Sequence, residues 1–167
     1  MNNYTPVKHW IAVYTKARHE KVVHEQLAKK NIEVFLPLIR SKRRWSDRIK
    51  WVNIPLFSSY VFARIELKNH LFVLQTTGVH HIIRFKDEIA VIPNDQIQSI
   101  KLMLEGGYTP ESTDYFVVGD EAEIIVGPMK GIKGIISRID GDDKFVLKID
   151  AIQHAIIVHI DRGYLKR

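Results

Sequence analysis

The 167 residues carry 46% hydrophobic and 26% charged side chains, the balance of a folded globular protein and not of a disordered one. No cysteine is present, which excludes disulfides, zinc–thiolate centres and cysteine nucleophiles and suits a reducing compartment. The net charge of +6 is uneven: residues 1–110 hold 17 Lys and Arg against 9 Asp and Glu, whereas residues 111–167 hold 8 against 10. A basic front part predicts a nucleic-acid partner, and a mildly acidic rear part predicts a second unit with a different one. Met1–Pro6 lacks a basic and then apolar leader, and nowhere do about 18 apolar residues run together. A cytoplasmic protein without a membrane segment is expected.

His9–Thr15, His-Trp-Ile-Ala-Val-Tyr-Thr, reads as the first strand. Trp10, Ala12 and Tyr14 share one parity, Ile11 and Val13 the other. Ala17–Asn31 has no Gly or Pro, places Val23 and Leu27 at i, i+4, and reads as a helix that Asn31 can end. Ile32–Leu38 is a short strand broken by Pro37, hence an edge. Arg40–Lys50 holds six basic residues and one acid, Asp47, with Trp45 among them. A solvated hairpin tip is one reading. A phosphate-contacting arm using Arg43 and Arg44, with a ring to stack on a base, is the other.

Pro55–Ile65 is the clearest strand, rich in aromatic and β-branched residues. Tyr60, Phe62 and Arg64 fall on one parity, and Phe57, Val61, Ala63 and Ile65 on the other. If this strand lies beside the first, aliphatics face a layer of helices, and Tyr14, Tyr60 and Phe62 make one aromatic patch suited to a partner. Ordinary core is the competing reading. Leu67–Gln75 is a second, short helix stopped at Thr76-Thr77-Gly78, and Val79–Phe85 a strand. Pro93-Asn94-Asp95 opens a helix to about Leu104, with Ile97, Ile100 and Leu104 as its apolar stripe. The order β-α-β-hairpin-β-α-β-α predicts an α+β sandwich, an antiparallel sheet with helices on one face.

Residues 107–115 read as a flexible linker between a domain over 1–106 and another over 116–167. The last segment is all-β in character, with strands near Glu121–Val126, Gly134–Ile139, Lys144–Ile149 and Ala155–His159 and turn signals at Gly127-Pro128, Lys130-Gly131 and Asp140-Gly141. A sheet this small gains by closing into a barrel.

No catalytic constellation is present, so no enzyme activity, cofactor or metal is expected. His80 and His81, adjacent on a strand, are expected to point to opposite faces and to share no metal. Asp140, Asp142 and Asp143 fall short of a calcium loop, and Gly127–Gly134 lacks the ending of a phosphate loop.

Gly119-Asp120, Gly127-Pro128 and Gly131-Ile132-Lys133-Gly134-Ile135 resemble a KOW motif. Trp10–Tyr14, Pro55–Phe62, and Thr77-Gly78-Val79 with Ile83-Arg84-Phe85 resemble the N-terminal domain of the NusG family of transcription elongation factors. Ser58-Ser59 in place of Pro-Gly, with Leu56-Phe57, is more similar to the specialised RfaH/UpxY-like branch. The resemblance implies a NusG-type N-terminal (NGN) domain followed by a five-stranded, SH3-like KOW barrel. It implies binding of the RNA polymerase β′ clamp helices by Tyr14, Tyr60 and Phe62, with Phe57 nearby. It implies contact with the non-template DNA strand of the paused complex by Lys16, Arg18, His19, Lys21, Thr76 and Thr77. It further implies a factor that suppresses pausing or termination in selected operons, surface polysaccharide operons among them. A monomer is expected, with a second partner such as a ribosomal protein on the KOW domain. The alternative is an RNA- or ribosome-binding KOW protein. The chain departs from RfaH at Ala17 and Thr77, where that protein has arginines, and at Asn69-His70-Leu71, where it has its polymerase gate-loop contact.

Overall fold

The computed structural model describes residues 6–108, 110–114, 119–139 and 141–166. The opening Met1–Thr5, Thr109 of the expected linker, the boundary at Phe116 and Asp140 of the acidic turn lie outside the described residues. Two compact units emerge, residues 1–36 with 57–94, and residues 37–56 with 95–167. The elements in chain order are β1 (His9–Thr15), α1 (Glu20–Lys29), β2 (Glu33–Phe35), β3 (Leu38–Arg44), β4 (Ile49–Pro55), β5 (Tyr60–Ile65), α2 (His70–Leu74), β6 (Val79–Ile82), β7 (Arg84–Phe85), β8 (Glu88–Ile89), β9 (Val91–Ile92) and α3 (Asn94–Glu105). They continue as β10 (Glu111–Asp114), β11 (Asp120–Ile124), β12 (Lys133–Ile139), β13 (Asp142–Ile149), β14 (His154–Val158) and β15 (Leu165–Lys166).

In the first unit, β2, β5, β1 and β6 form an antiparallel sheet in that order, and β9 pairs with the front half of β1. The register of β1 on β5 sets Ala12 opposite Phe62, Val13 opposite Val61 and Tyr14 opposite Tyr60. Alternation then divides the residues as expected. Ile11, Val13, Val61, Ala63 and Ile65 pack with Val23 and Leu27 of α1 and Val73 of α2. Trp10, Ala12, Tyr14, Tyr60 and Phe62 take the other face.

Helix α1 starts three residues later than the composition predicts, because Arg18 sits at φ 61°, outside the helical region. It ends on Asn31 at φ 58°, with Asn31 N–H donating to Ala28 O and Ile32 N–H to Leu27 O, the paired bonds of a Schellman cap. Strand β2 lies at the sheet edge, in keeping with Pro37 beyond it. The run Pro55–Ile65 is not one strand. Pro55 closes β4, and the turn Leu56–Ser59 precedes β5, with Ser59 at φ 65°. Val79–Phe85 likewise divides at Ile83, whose N–H donates to Ala12 O. Strand β7 leaves the sheet and pairs with β8.

In the second unit, β3 and β4 form a hairpin ribbon closed at its base by Leu56 N–H donating to Pro37 O. Helix α3 buries Ile97, Ile100 and Met103; Leu104, expected in that stripe, is only half-buried. The rear segment forms a six-stranded antiparallel sheet in the order β10-β14-β13-β12-β11-β15. Four of its strands fall where β-branched runs predict them. Glu111–Asp114, expected within the linker, instead pairs with β14, Ser112 opposite Ile156. Gly134 is obligatory, since a Cβ there would collide with Val146 O and the Phe145 ring. Gly141, at φ 89°, supplies the left-handed residue between β12 and β13.

Candidate binding interface

The aromatic face of β1 and β5 is the first candidate. Tyr14 and Tyr60 meet directly across the ladder, rings 5.2 Å apart and edge to face. Both are half-buried. Burial raises the Tyr60 phenol above its ordinary value, and the neighbouring Tyr14 adds to the rise. Phe57 and Phe62 differ from expectation. They are 1% and 0% exposed, and Phe62 lies between the stacked Phe35 ring at 6.2 Å and the perpendicular Phe57 ring at 6.0 Å. Phe57 sits in the turn before β5, so strand alternation never applied to it. The two phenylalanines are core, not exposed surface.

The turn that carries Tyr60 is held from α1. Ser59 N–H donates to Glu20 Oε1 at 2.7 Å, and Glu20 is 7% exposed. Tyr60 N–H donates to Phe57 O, and Thr15 N–H to Ser59 O. A carboxylate in the first turn of a helix also suits the positive end of its dipole. Sequence reading missed Glu20; its only signal was an acid in the first helical turn.

His80 and His81 overturn the expectation that they diverge. Tyr14 pairs with His81 and Thr15 with Val79, so His80 is the extra residue of a β-bulge. The bulge turns both rings the same way, their Nδ1 atoms 2.8 Å apart, one ring donating and the other accepting. His81 lies 5.0 Å from the Tyr14 ring and His80 6.1 Å from it. Burial lowers the His81 pKa, and His80 lowers it further. Among the described residues no group of three His, Cys, Asp or Glu could hold a metal.

The expected DNA-contact residues come from two segments that meet. Lys16 N–H donates to Gly78 O at 2.8 Å, which ties the loop before α1 to the turn before β6. Gly78, at φ 93°, lies so close to His19 that a Cβ would reach its Cδ2 at 3.1 Å. Lys16, Arg18, Lys21 and Thr77 are exposed, and His19 half-exposed with Nδ1 2.9 Å from Ala17 O. Thr76 is a correction. It is 3% exposed, its hydroxyl donates to Phe72 O, and it accepts Lys30 Nζ at 2.7 Å. Lys30 also donates to Phe72 O, so both side chains serve that one carbonyl of α2, and the Thr76 hydroxyl is turned to it and not to solvent.

On the hairpin, Arg43 and Arg44 do not act on one surface. The register pairs Lys42 with Trp51 and Arg44 with Ile49, whereas Arg43 pairs with Lys50 on the opposite side.

The family model described as "Transcription termination factor nusG" matches residues 8–101, more than half of the chain. The structure of Thermotoga maritima NusG, solved for its domain interaction, is 22% identical, covers 95% of this chain and 96% of its own, and superposes at a TM-score of 0.58. That likeness speaks for the fold. A chain of the MjSpt4:Spt5 complex is 21% identical with 94% and 96% covered, at a TM-score of 0.31. No helix among the described residues is long and apolar enough to cross a membrane. The match over the sheet, its helices and the aromatic face places this chain in the NusG family of transcription elongation and termination factors.

Proposed function

We propose that this chain is a regulatory factor of the RfaH/UpxY-like branch that rides on RNA polymerase and suppresses pausing or termination in selected operons. The observation that carries the reading is the Tyr14–Tyr60 pair, edge to face at 5.2 Å on the sheet face away from α1 and α2. Amphipathic rings held rigidly on a strand are the anchors that protein interfaces favour. In this reading Tyr14 and Tyr60 touch the β′ clamp helices, and Phe57 and Phe62 are buried core of the same strand and of the turn that leads into it.

Lys16, Arg18, His19, Lys21 and Thr77 line the surface for the non-template DNA strand. The domain limits follow the same reading: an N-terminal domain over 1–106, a joint over 107–115 and a KOW barrel over 116–167, closing around the strands that follow β10. The barrel takes a second partner, such as a ribosomal protein, on the loop Gly127–Gly134. There Gly131 N–H donates to Ile124 O and Met129 is buried, so the loop is tied to the end of β11. The factor works in the cytoplasm, as a monomer, without a cofactor.

Affinity capture of the tagged chain from its own cells tests the reading. RNA polymerase subunits in the eluate support it. Ribosomal subunits without polymerase would favour the ribosome-binding alternative and refute it.

A further inference from the structure

One face of the β3–β4 hairpin is exposed along its length, and the other is half-buried at the base and exposed toward the tip. Alternation places Arg40, Lys42 and Arg44 of β3 with Ile49, Trp51 and Asn53 of β4, and all six are exposed. The other face carries Ile39, Ser41, Val52 and Ile54, each half-buried, and toward the tip the exposed Arg43 and Lys50. An apolar ring is therefore turned to solvent although the ribbon has a sheltered side available. Trp51 is 52% exposed, and Trp45 at the tip 57%. Arg40 lies over the Trp51 ring with Cζ 5.0 Å from its centroid, and Lys42 is its cross-strand neighbour. The single acid of the segment, Asp47, is taken by Arg48 at 3.3 Å. Among the described residues Lys42, Arg43, Arg44 and Lys50 have no carboxylate partner.

We propose that this face is a binding platform for single-stranded nucleic acid, with one base stacked on Trp51 and the backbone running along Arg40, Lys42 and Arg44. Alternate residues on a strand stand about 6.7 Å apart, on the order of the step between phosphates of an extended strand. Three cations in such a row meet successive phosphates, while the ring between them takes a base. Duplex bases are already stacked and offer no face to the ring, and an acidic peptide gains nothing from it; a single strand uses both features. The platform deepens the nucleic-acid part of the reading above and does not depend on polymerase docking.

The test is fluorescence anisotropy of labelled dT and rU oligonucleotides with the full-length protein. Trp51→Ala should weaken binding roughly 5- to 150-fold, the worth of one stacked base, and Trp51→Phe should recover most of it. Arg40→Ala/Arg44→Ala and Arg43→Ala/Lys50→Ala remove the same charge from opposite faces. The first pair should weaken binding more and reduce the salt slope by about 0.7 per lost phosphate contact. A duplex of equal length should bind more weakly than either single strand. A preference for rU over dT, or the reverse, identifies which strand the platform serves. Equal losses from the two double variants, or wild-type affinity in Trp51→Ala, would overturn the proposal in favour of unspecific charge attraction. All variants should still capture polymerase, so failure here is separable from failure of the docking reading.

Discussion

Glu20 is the residue on which the position of Tyr60 turns, and its removal can be worked through. Glu20→Ala deletes the buried acceptor of a 2.7 Å bond from Ser59 N–H and leaves that half-buried donor without its partner. A hydrogen bond to a charged group contributes about 1.5–3 kcal/mol. The carboxylate also opens α1, where a negative charge adds about 0.3–1 kcal/mol. The expected loss is therefore about 2–4 kcal/mol, and Glu20→Gln, which keeps an acceptor without charge, should lose less than half of that. Native-state amide exchange of the full chain gives the readout. Exchange of the β1 and β5 amides should quicken roughly 30- to 900-fold in the Ala variant, and the Ser59 amide should lose its local protection altogether. A Ser59 amide equally protected in Glu20→Ala and wild type would show that something else holds the turn.

Phe62→Ala should destabilise the first unit by about 3–5 kcal/mol, as expected for a fully buried ring, and amide exchange in β5 reads it. Ser59→Gly should stabilise the chain by up to about 1 kcal/mol, since glycine takes φ 65° without the Cβ penalty; a lowered melting temperature would contradict this. The lowered pKa of His81 means that the unfolded chain binds the proton more readily. Its contribution is present above about pH 6.5 and fades as pH falls from there toward the folded-state value. Proton NMR should find His81 titrating below an ordinary histidine, and His80→Ala should bring it part of the way back.

Much of the fold was legible because the signals were local and periodic. The alternation in His9–Thr15 and Tyr60–Ile65 placed Tyr14 beside Tyr60 without any knowledge of register. The β-branched runs and Gly-containing turns located β11 to β14. What escaped needed tertiary information. A single bulged residue reversed the expected geometry of His80 and His81, and bulges leave no mark on composition. Thr76 and Lys30 stand 46 positions apart yet share a hydrogen bond, so Thr76 read as a surface residue. Phe62 carried the right parity for the patch, but parity gives the face and not the cover over it. The strand Glu111–Asp114 has polar side chains throughout, and only its pairing with β14 reveals it.

The central claim is that the tyrosine pair is a docking surface for RNA polymerase. Surface-immobilised β′ clamp-helix fragment, titrated with wild type, Tyr14→Ala and Tyr60→Ala, measures this directly. Each substitution removes a half-buried ring from an interface anchor, for about 2 kcal/mol or more, a loss of roughly thirtyfold in affinity. The amide exchange of β1 should be followed in the same samples. Weakened binding with the β1 amides still protected is the predicted result. Wild-type affinity in both variants, or a loss that only follows unfolding of the sheet, would contradict the account.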